Sequence, residues 1–259
     1  MDVYDCFMFY NELDLLELRL GELDGVVDRF VLVEATRTHR GNLKPLFYAD
    51  NRERYRQFSD KIIHVVVDGL LEDTSAAGAT WQNECLHRNG ISRGLGGAKD
   101  DDLIVVSDVD EIPRPSMLAE KREGLFDMRL SYYYYNLVWP NSHWSGSIVS
   151  RLGMVKLNSP QGMRDMARFS NMPFLPQQGW HFSYLGNEED IVVKLKSFCH
   201  AEMDVPKFTS AGMISRAIKD RRLFFNGISL ETLPVADGTF PYYLAKNAAK
   251  FDKYILKEE

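Results

Sequence analysis

The apolar residues of the first 110 positions fall into two alternating patterns. Short, mostly apolar runs predict buried strands at residues 3–9, 29–34, 62–67 and 103–106. Leucines three and four residues apart predict a helix that begins near Asn11 and ends at Gly25, and a further helical stretch covers residues 81–95. Such alternation predicts an α/β fold with a Rossmann-like, mostly parallel central sheet flanked by helices. Ligands of such sheets bind at the carboxyl ends of the strands.

The pattern after residue 115 is less regular and richer in aromatic residues. Residues 131–139 and 179–185 are strand candidates, a loose alternation over 144–157 favours a hairpin, and the prolines of 172–178 indicate a loop. Asn187 predicts the N-cap of a helix whose first turn is acidic, as the helix dipole favours. Because no repeat or linker interrupts the chain, we expect a single domain over residues 1–259.

Composition and charge narrow the class of protein. The chain has 259 residues, of which 45% are hydrophobic and 26% charged, and these values are typical of globular proteins rather than disordered or collagen-like ones. A net charge of −6 argues against a nucleic-acid partner bound through overall charge. The cysteines Cys6, Cys85 and Cys199 lie far apart, which favours reduced, buried thiols.

The first residues and the hydropathy of the chain indicate in which cellular compartment the protein is expected. The first five residues are acidic where a secretory signal would be basic. No window approaches the roughly 18 uninterrupted apolar residues of a membrane span. We therefore expect a cytoplasmic protein without a transmembrane segment, an expectation that is compatible with peripheral membrane association.

An acidic cluster directly after the fourth predicted strand is the strongest chemical signal. Asp108, Asp110 and Glu111 follow the strand, and Pro113 stops it. Mg²⁺ and Mn²⁺ prefer oxygen ligands, and they commonly bind one or two carboxylates together with substrate phosphates. A solvated acidic turn is the plainer interpretation, but the position at the carboxyl end of a central strand favours a metal site.

Other polar residues have two interpretations each. Glu34 ends the second predicted strand at the same edge, where it would either accept hydrogen bonds from a ribose or base or face solvent. Arg88 lies four residues after Glu84, so it would form a surface ion pair or clamp a phosphate. His181 has apolar neighbours and is either a core residue or, if its strand returns to the acidic edge, a third metal ligand.

Aromatic residues are concentrated between residues 132 and 180. They include Tyr132, Tyr133, Tyr134, Tyr135, Trp139, Trp144 and Trp180. Sugars stack their apolar faces on such rings, but successive residues of a strand face opposite ways, so at most half of the tyrosines share a face. At least half of these rings are expected to fill the core.

Five stretches of the chain form a recognisable pattern. They are Asn11 to Leu16 with Arg19, Val33 and Glu34 with Thr38 and Gly41, Ser107 to Pro113, Gly179 to Ser183, and Tyr243 to Asn247 with Phe251 and Tyr254. Together they resemble glycosyltransferase family 17, the β-1,4-mannosyl-glycoprotein 4-β-N-acetylglucosaminyltransferases, in the same order over nearly the whole chain. The Asp-x-Asp-Glu-Ile-Pro and Gly-Trp-His segments are the most specific of them.

The resemblance implies a GT-A-type nucleotide-sugar fold. It implies a nucleotide-sugar-binding half over about residues 1–115 and an irregular, aromatic-rich acceptor half over about 116–259. It also implies an inverting, metal-dependent transfer of N-acetylglucosamine from a UDP-sugar donor, UDP-GlcNAc, to a hydroxyl of a glycan acceptor through a β-1,4 linkage, with Mn²⁺ or Mg²⁺ as the cofactor.

On this hypothesis the candidate residues take roles. Asp108 and Asp110 would hold the cation on the donor diphosphate, with His181 as the third ligand. Residues expected to contact the donor are Glu34, Thr38, Arg88, Asp108, Asp110, Glu111 and Lys194. Candidates for the general base are Glu189 first, then Asp190 and Asp165. The expected acceptor platform is Tyr134, Trp139 and Trp180.

Two other classes of function remain open at this point. One is a metal-dependent phosphohydrolase or nucleotidyltransferase built on the same Asp-x-Asp. A phosphohydrolase with an aspartyl nucleophile usually places that motif after its first strand, whereas here it follows the fourth. The other is a non-catalytic carbohydrate-binding protein that uses the aromatic strands.

Overall fold

A computed structural model of the chain describes residues 1–169, 174–235 and 238–257. The strands, in chain order, are β1 Val3–Phe9, β2 Arg29–Ala35, β3 Ile62–Val67, β4 Leu103–Asp108, β5 Glu111–Pro113, β6 Gly124–Tyr132, β7 Leu137–Val138, β8 Ile148–Arg151, β9 Phe174–Ser183 and β10 Glu231–Thr232. The α-helices are α1 Leu13–Leu23, α2 Phe47–Asp50, α3 Ala79–Asn89, α4 Ile91–Gly94, α5 Pro115–Ala119, α6 Leu152–Phe169, α7 Glu188–Ser197, α8 Pro206–Thr209, α9 Met213–Lys219 and α10 Tyr242–Lys246. Short 3₁₀ segments cover Arg52–Phe58, Ala201–Met203 and Ala248–Tyr254.

The central sheet has a parallel part built from the first half of the chain. Strands β4, β1, β2 and β3 lie side by side in that order, and each neighbouring pair is parallel. In β1, β2 and β4 nearly all side chains are buried on both faces, which explains the nearly continuous apolar runs, whereas in the edge strand β3 only Val65 and Val67 are buried. The predicted α/β class and mostly parallel central sheet are confirmed.

The second half of the chain extends this sheet with mixed pairing. Strand β8 pairs antiparallel with β4, β6 pairs antiparallel with β8, and β9 runs parallel to β6. Strand β5, which begins at Glu111 of the acidic cluster, pairs antiparallel with β9 and places Glu111 opposite His181. The late strand β9 thus returns to the acidic edge of the sheet.

Local structure departs from the prediction at several places. The helix expected over 81–95 is broken at Gly90, where a Cβ atom would lie 2.6 Å from the side chain of Val67. The strand expected over 131–139 ends at Tyr132 and resumes only as β7. The hairpin expected over 144–157 was wrong, because β8 is followed directly by α6.

The loop expected over 172–178 was wrong for the residues that are described. From Phe174 onward the chain is strand β9, in which Gln177 has a φ of 54° and the register with β6 shifts. That irregularity accommodates Pro176 within a strand. Met172 and Pro173 lie outside the described residues.

Helices α1 and α7 follow the predicted signals. The buried face of α1 carries Leu16 and Leu20, and the chain leaves the helix at Asp24, next to Gly25. The Asn187 side chain accepts a hydrogen bond from the Asp190 amide, and the Asp190 carboxylate accepts one from the Asn187 amide, so the two residues form a capping box. None of the helices in the described ranges has the length and apolar character to cross a membrane.

Candidate functional site

A cavity of about 500 Å³ opens at the carboxyl ends of the parallel strands. The ends of β1 and β4, the loop after β2, the end of β9 and helix α7 all line it. This is the position at which α/β sheets hold their ligands. All three carboxylates of the acidic cluster, Asp108, Asp110 and Glu111, line the cavity.

Arg19, on α1, fixes the backbone of the acidic turn from beneath. Its side chain is fully buried and is paired with Asp5. It also donates to the Ser107 hydroxyl at 2.6 Å and to the backbone carbonyls of Asp108 at 2.9 Å and Glu111 at 2.7 Å. An arginine can satisfy so many acceptors because it presents five N–H donors in a fixed plane. Arg19 therefore holds the turn without reaching the cavity.

Buried arginines neutralise Asp108 and Glu111. Arg164, on α6, forms a bidentate pair with Glu111 at 2.6 and 2.7 Å and reaches Asp108 at 2.9 Å. Arg88, on α3, contacts the other oxygen of Asp108 at 3.1 Å and Glu84 at 2.7 Å. Burial alone would raise the pKa of Asp108, but the two guanidinium groups outweigh it and hold that pKa well below its usual range.

Asp110 has different partners. One carboxylate oxygen lies 3.0 Å from the ammonium of Lys194, and the other lies 3.6 Å from Nε2 of His181. Burial would raise the pKa of Asp110, but Lys194 and His181 hold it well below its usual range. The carboxylate is therefore ionised at neutral pH.

Asp110 and His181 could supply two of the ligands of a divalent cation. The 3.6 Å separation of Asp110 Oδ1 and His181 Nε2 is too long for a hydrogen bond and is compatible with two ligands of one ion. Asp108 is less suited to hold a metal, because each of its oxygens already faces an arginine. Within the described residues no group of three or more metal-ligating side chains is assembled. Further ligands would have to come from the substrate or water.

The structure brings most of the expected donor-binding residues to the cavity. Thr38, His181 and Lys194 line it together with the acidic cluster, and Arg88 lies directly behind Asp108. Glu34 does not line it. Its carboxylate is fully buried and accepts hydrogen bonds from the Tyr48 amide at 2.9 Å and His64 at 3.1 Å. Strand β2 extends to Ala35, so Glu34 lies inside the strand and supports the neighbouring segment.

None of the three expected general bases lines the cavity. Glu189 borders a separate depression between α7 and α9, and Asp190 caps α7. Asp165 accepts a hydrogen bond from Gln161 on the surface of α6. Lys194 of α7 does face the cavity, and five helical residues correspond to a rotation of about 140°, so Glu189 is turned away from it.

The aromatic wall differs from the expected acceptor platform. Trp139 lines the cavity, as expected, but Tyr134 and Trp180 do not. Trp180 is buried in the core, where its indole N–H donates to the Thr239 carbonyl at 2.7 Å. The aromatic side chains that line the cavity with Trp139 are Phe9, Tyr10, Tyr132, Trp144, Tyr184, Phe198 and Phe225.

Several cavity residues escaped the sequence analysis. Arg164 lies on α6, beyond the expected hairpin of 144–157 and in a segment for which no element was predicted. The buried apolar residues of α6 include Leu152, Val155, Met163 and Ala167. Cavity residues that carried no functional signal of their own include Glu12, His39, Lys44, His87 and Arg164. A single sequence gives no indication that these distant residues converge.

Some of the buried polar atoms without a hydrogen-bond partner belong to residues in or beside the cavity. In the described part of the chain, Nδ1 of His39 and His181 and Nε of Arg88 and Arg164 are buried without a hydrogen-bond partner. Buried polar atoms are usually paired, and exceptions often mark sites where a ligand or water binds. Their position indicates that the cavity receives a polar ligand.

Comparisons with known proteins agree with this chemistry. The chain is 26% identical to β-1,4-mannosyl-glycoprotein 4-β-N-acetylglucosaminyltransferase of Mus musculus, over 95% of this chain and 53% of the mouse protein. It is 32% identical to the Homo sapiens enzyme of that name over 46% of this chain and 22% of the human protein. The chain thus spans about half the length of the mouse relative.

The chain also shows limited similarity to a solved structure. It is a mannosyltransferase from Pyrobaculum calidifontis in complex with GDP-Man and Mn²⁺, with a TM-score of 0.42 and 12% identity, over 75% of this chain and 60% of that chain. The sequence model of glycosyltransferase family 17 matches residues 1–227, which is most of the chain. The chain therefore belongs to glycosyltransferase family 17.

Proposed function

We propose that the protein is an inverting, metal-dependent glycosyltransferase that moves N-acetylglucosamine from UDP-GlcNAc to a hydroxyl of a glycan acceptor. The observation that carries the proposal is the arrangement of Asp110, His181 and Lys194 in one cavity at the carboxyl edge of the sheet. A carboxylate, an imidazole and an ammonium around one point suit a cation and a diphosphate together. The names of the 26%-identical relatives support the choice of sugar.

Asp110 and His181 are the residues that would hold Mn²⁺ or Mg²⁺. When bound, the cation would act as a Lewis acid that stabilises negative charge on the leaving diphosphate. Lys194 lies beside Asp110 and would add a fixed positive charge. Asp108 and Glu111, neutralised by buried arginines, would shape the floor of the site.

Inversion by a single displacement requires a base for the acceptor hydroxyl, within hydrogen-bond reach inside the cavity. Of the described carboxylates that line it, Glu12 is the one without an ion pair within 4 Å. Its Oε2 accepts from the Tyr10 and Asn11 amides at 3.2 and 3.0 Å, and these bonds orient the group. Glu12 is therefore the base that we propose in place of Glu189.

The acceptor is proposed to lie against the aromatic wall. The rings of Tyr132 and Tyr184 are nearly parallel, with centroids 6.3 Å apart, and Trp139 lies beside Tyr132. Such rings can pack on the apolar face of a sugar, while their polar edges bind its hydroxyls. This wall adjoins the proposed metal-binding residues, since Lys194 Nζ lies 5.4 Å from the centre of the Tyr184 ring and 3.0 Å from Asp110, and it would bring an acceptor hydroxyl toward the donor.

The proposal is tested by incubating the protein with Mn²⁺ and a panel of UDP-sugars. We expect slow, EDTA-sensitive release of UDP from UDP-GlcNAc, because water replaces the missing acceptor. Release of phosphate from simple phosphomonoesters would support the phosphohydrolase instead. Binding of free glycans without any dependence on metal or nucleotide would support the carbohydrate-binding alternative.

A pair of chemically identical changes tests the base. We expect Glu12→Gln to lower kcat by about 10²–10⁴-fold with little effect on the affinity for UDP, since general base catalysis contributes about this much. Glu189→Gln, outside the cavity, should keep kcat within about threefold of the wild-type value. Steady-state kinetics with a glycan acceptor measures both. A large loss in Glu189→Gln beside an active Glu12→Gln would return the role to Glu189.

A further inference from the structure

Two histidines that both line the cavity are joined by a hydrogen bond. Nε2 of His87, on α3, lies 3.0 Å from the backbone carbonyl of Val33, and Nδ1 of His87 lies 3.2 Å from Nε2 of His39. A carbonyl oxygen can only accept, so His87 Nε2 carries the proton. In a neutral ring His87 Nδ1 is then an acceptor, His39 Nε2 is the donor to it, and His39 Nδ1 carries a lone pair.

The surroundings keep both rings neutral. Burial, together with His39 beside it, lowers the pKa of His87 to about 3. Burial and the positive charge of Arg88 lower the pKa of His39 to about 4, and Lys44 acts in the same direction while Asp108 opposes it. The acceptor character of His39 Nδ1 therefore persists at neutral pH.

His39 is also held in place through its backbone. Its amide donates to the Ser197 carbonyl at 3.1 Å, and its carbonyl accepts from the Asn83 side chain at 3.1 Å. Its Nδ1 is buried and has no partner in the described part of the chain, although the residue lines the cavity. A fixed, unsatisfied acceptor at a ligand cavity is suited to select a ligand that supplies a donor at that point.

We propose that His39 Nδ1 accepts a hydrogen bond from the nucleoside part of the donor nucleotide, and that this bond is a determinant of nucleotide specificity. The inference rests on the proposed function, since it assumes a nucleotide in this cavity. The shared chemistry is one N–H or O–H donor. Its source is either the imide N–H of uracil or a ribose hydroxyl. The first source would discriminate against cytosine, which has an acceptor at that ring position.

Two substitutions of His39 distinguish the role of its Nδ1 acceptor from that of its hydrogen bond to His87. Gln at position 39 can still donate to His87 Nδ1 but has no acceptor where His39 Nδ1 lies. Asn at position 39 retains a polar group near Nδ1 and loses the link. We expect His39→Gln to weaken UDP binding about fivefold to tenfold, as for a net loss of one hydrogen bond. His39→Asn should weaken it less than about threefold.

Calorimetry with UDP, CDP and 2′-deoxy-UDP measures these affinities in the presence of Mn²⁺. If the uracil imide is the donor, the preference for UDP over CDP should shrink in His39→Gln. If a ribose hydroxyl is the donor, the preference for UDP over 2′-deoxy-UDP should shrink instead. His143→Gln, at an exposed histidine paired with Asp127, is the matched control and should bind UDP as the wild type does.

The negative outcomes are distinguishable. Wild-type affinity for UDP in His39→Gln, or equal losses in His39→Gln and His39→Asn, would overturn the inference and leave the proposed function intact. Failure of the wild type to bind UDP would overturn both. Nitrogen-15 NMR of the unliganded wild type provides an independent check, since a protonated His39 Nδ1 at pH 7 would refute the tautomer on which the inference depends.

Discussion

Asp110→Asn is expected to abolish metal-dependent transfer while leaving the fold intact. The change removes the ionised carboxylate that faces both His181 and Lys194 and keeps the size of the side chain. A metal ion contributes several kcal/mol of charge stabilisation, and about 4 kcal/mol corresponds to roughly a thousandfold in rate. We therefore expect kcat to fall by about three orders of magnitude at saturating Mn²⁺.

The matched control for this variant is Asp165→Asn. It makes the same chemical change on the surface of α6, where Asp165 contacts only Gln161 among the contacts described. That variant should transfer N-acetylglucosamine at nearly the wild-type rate. Circular dichroism of both variants checks the fold, and Mn²⁺ titration of UDP release measures the metal requirement. An Asp110→Asn enzyme with more than a tenth of the wild-type rate would remove Asp110 from the metal site.

The parallel half of the sheet was predictable because most of its strands are buried on both faces. Strands β1 to β4 are short apolar runs with little polar interruption, so their position and class could be read from the sequence. The acidic cluster was equally visible, since it follows β4 directly. Both features are local in sequence, and local patterns are what a single sequence displays.

The long-range parts of the site could not be predicted in the same way. The pairing of β5 with β9 joins residues about seventy positions apart, and only that pairing brings His181 to Asp110. Arg164 contacts Glu111 from helix α6, which follows the four-residue strand β8. That strand is too short to show the two-residue alternation of apolar and polar positions that would identify it. Glu34 was expected at the end of β2, beside the donor. The strand extends one residue further, to Ala35, so Glu34 lies inside the sheet.

Electrostatic balance was also hidden in the sequence. Asp108 and Glu111 suggest a strongly negative site by themselves, but the structure supplies Arg88 and Arg164 from two different helices. Arg88 also pairs with Glu84, four residues earlier on α3, and this local spacing is equally typical of a surface ion pair. The pair is buried, and it directs Arg88 toward Asp108.

This balance makes Arg164→Met the substitution with the largest expected effect on stability. Arg164 is almost completely buried, and so is Glu111, which it binds through two hydrogen bonds. Removing one partner of a buried ion pair leaves an uncompensated charge and typically costs about 3–5 kcal/mol. We expect the free energy of unfolding to fall by that amount in urea denaturation, with an unchanged m value.

Two further variants make the cause of that loss testable. Arg164→Met combined with Glu111→Gln removes both buried charges and should recover about half of the lost stability, since an unpaired charge is the dominant cost. Asp108 accounts for a smaller part, because its side chain is 27% exposed. Arg151→Met removes an exposed arginine from β8 and should change the free energy of unfolding by less than about 0.5 kcal/mol. Equal destabilisation in the single and double variants would show that Arg164 stabilises the fold by packing alone.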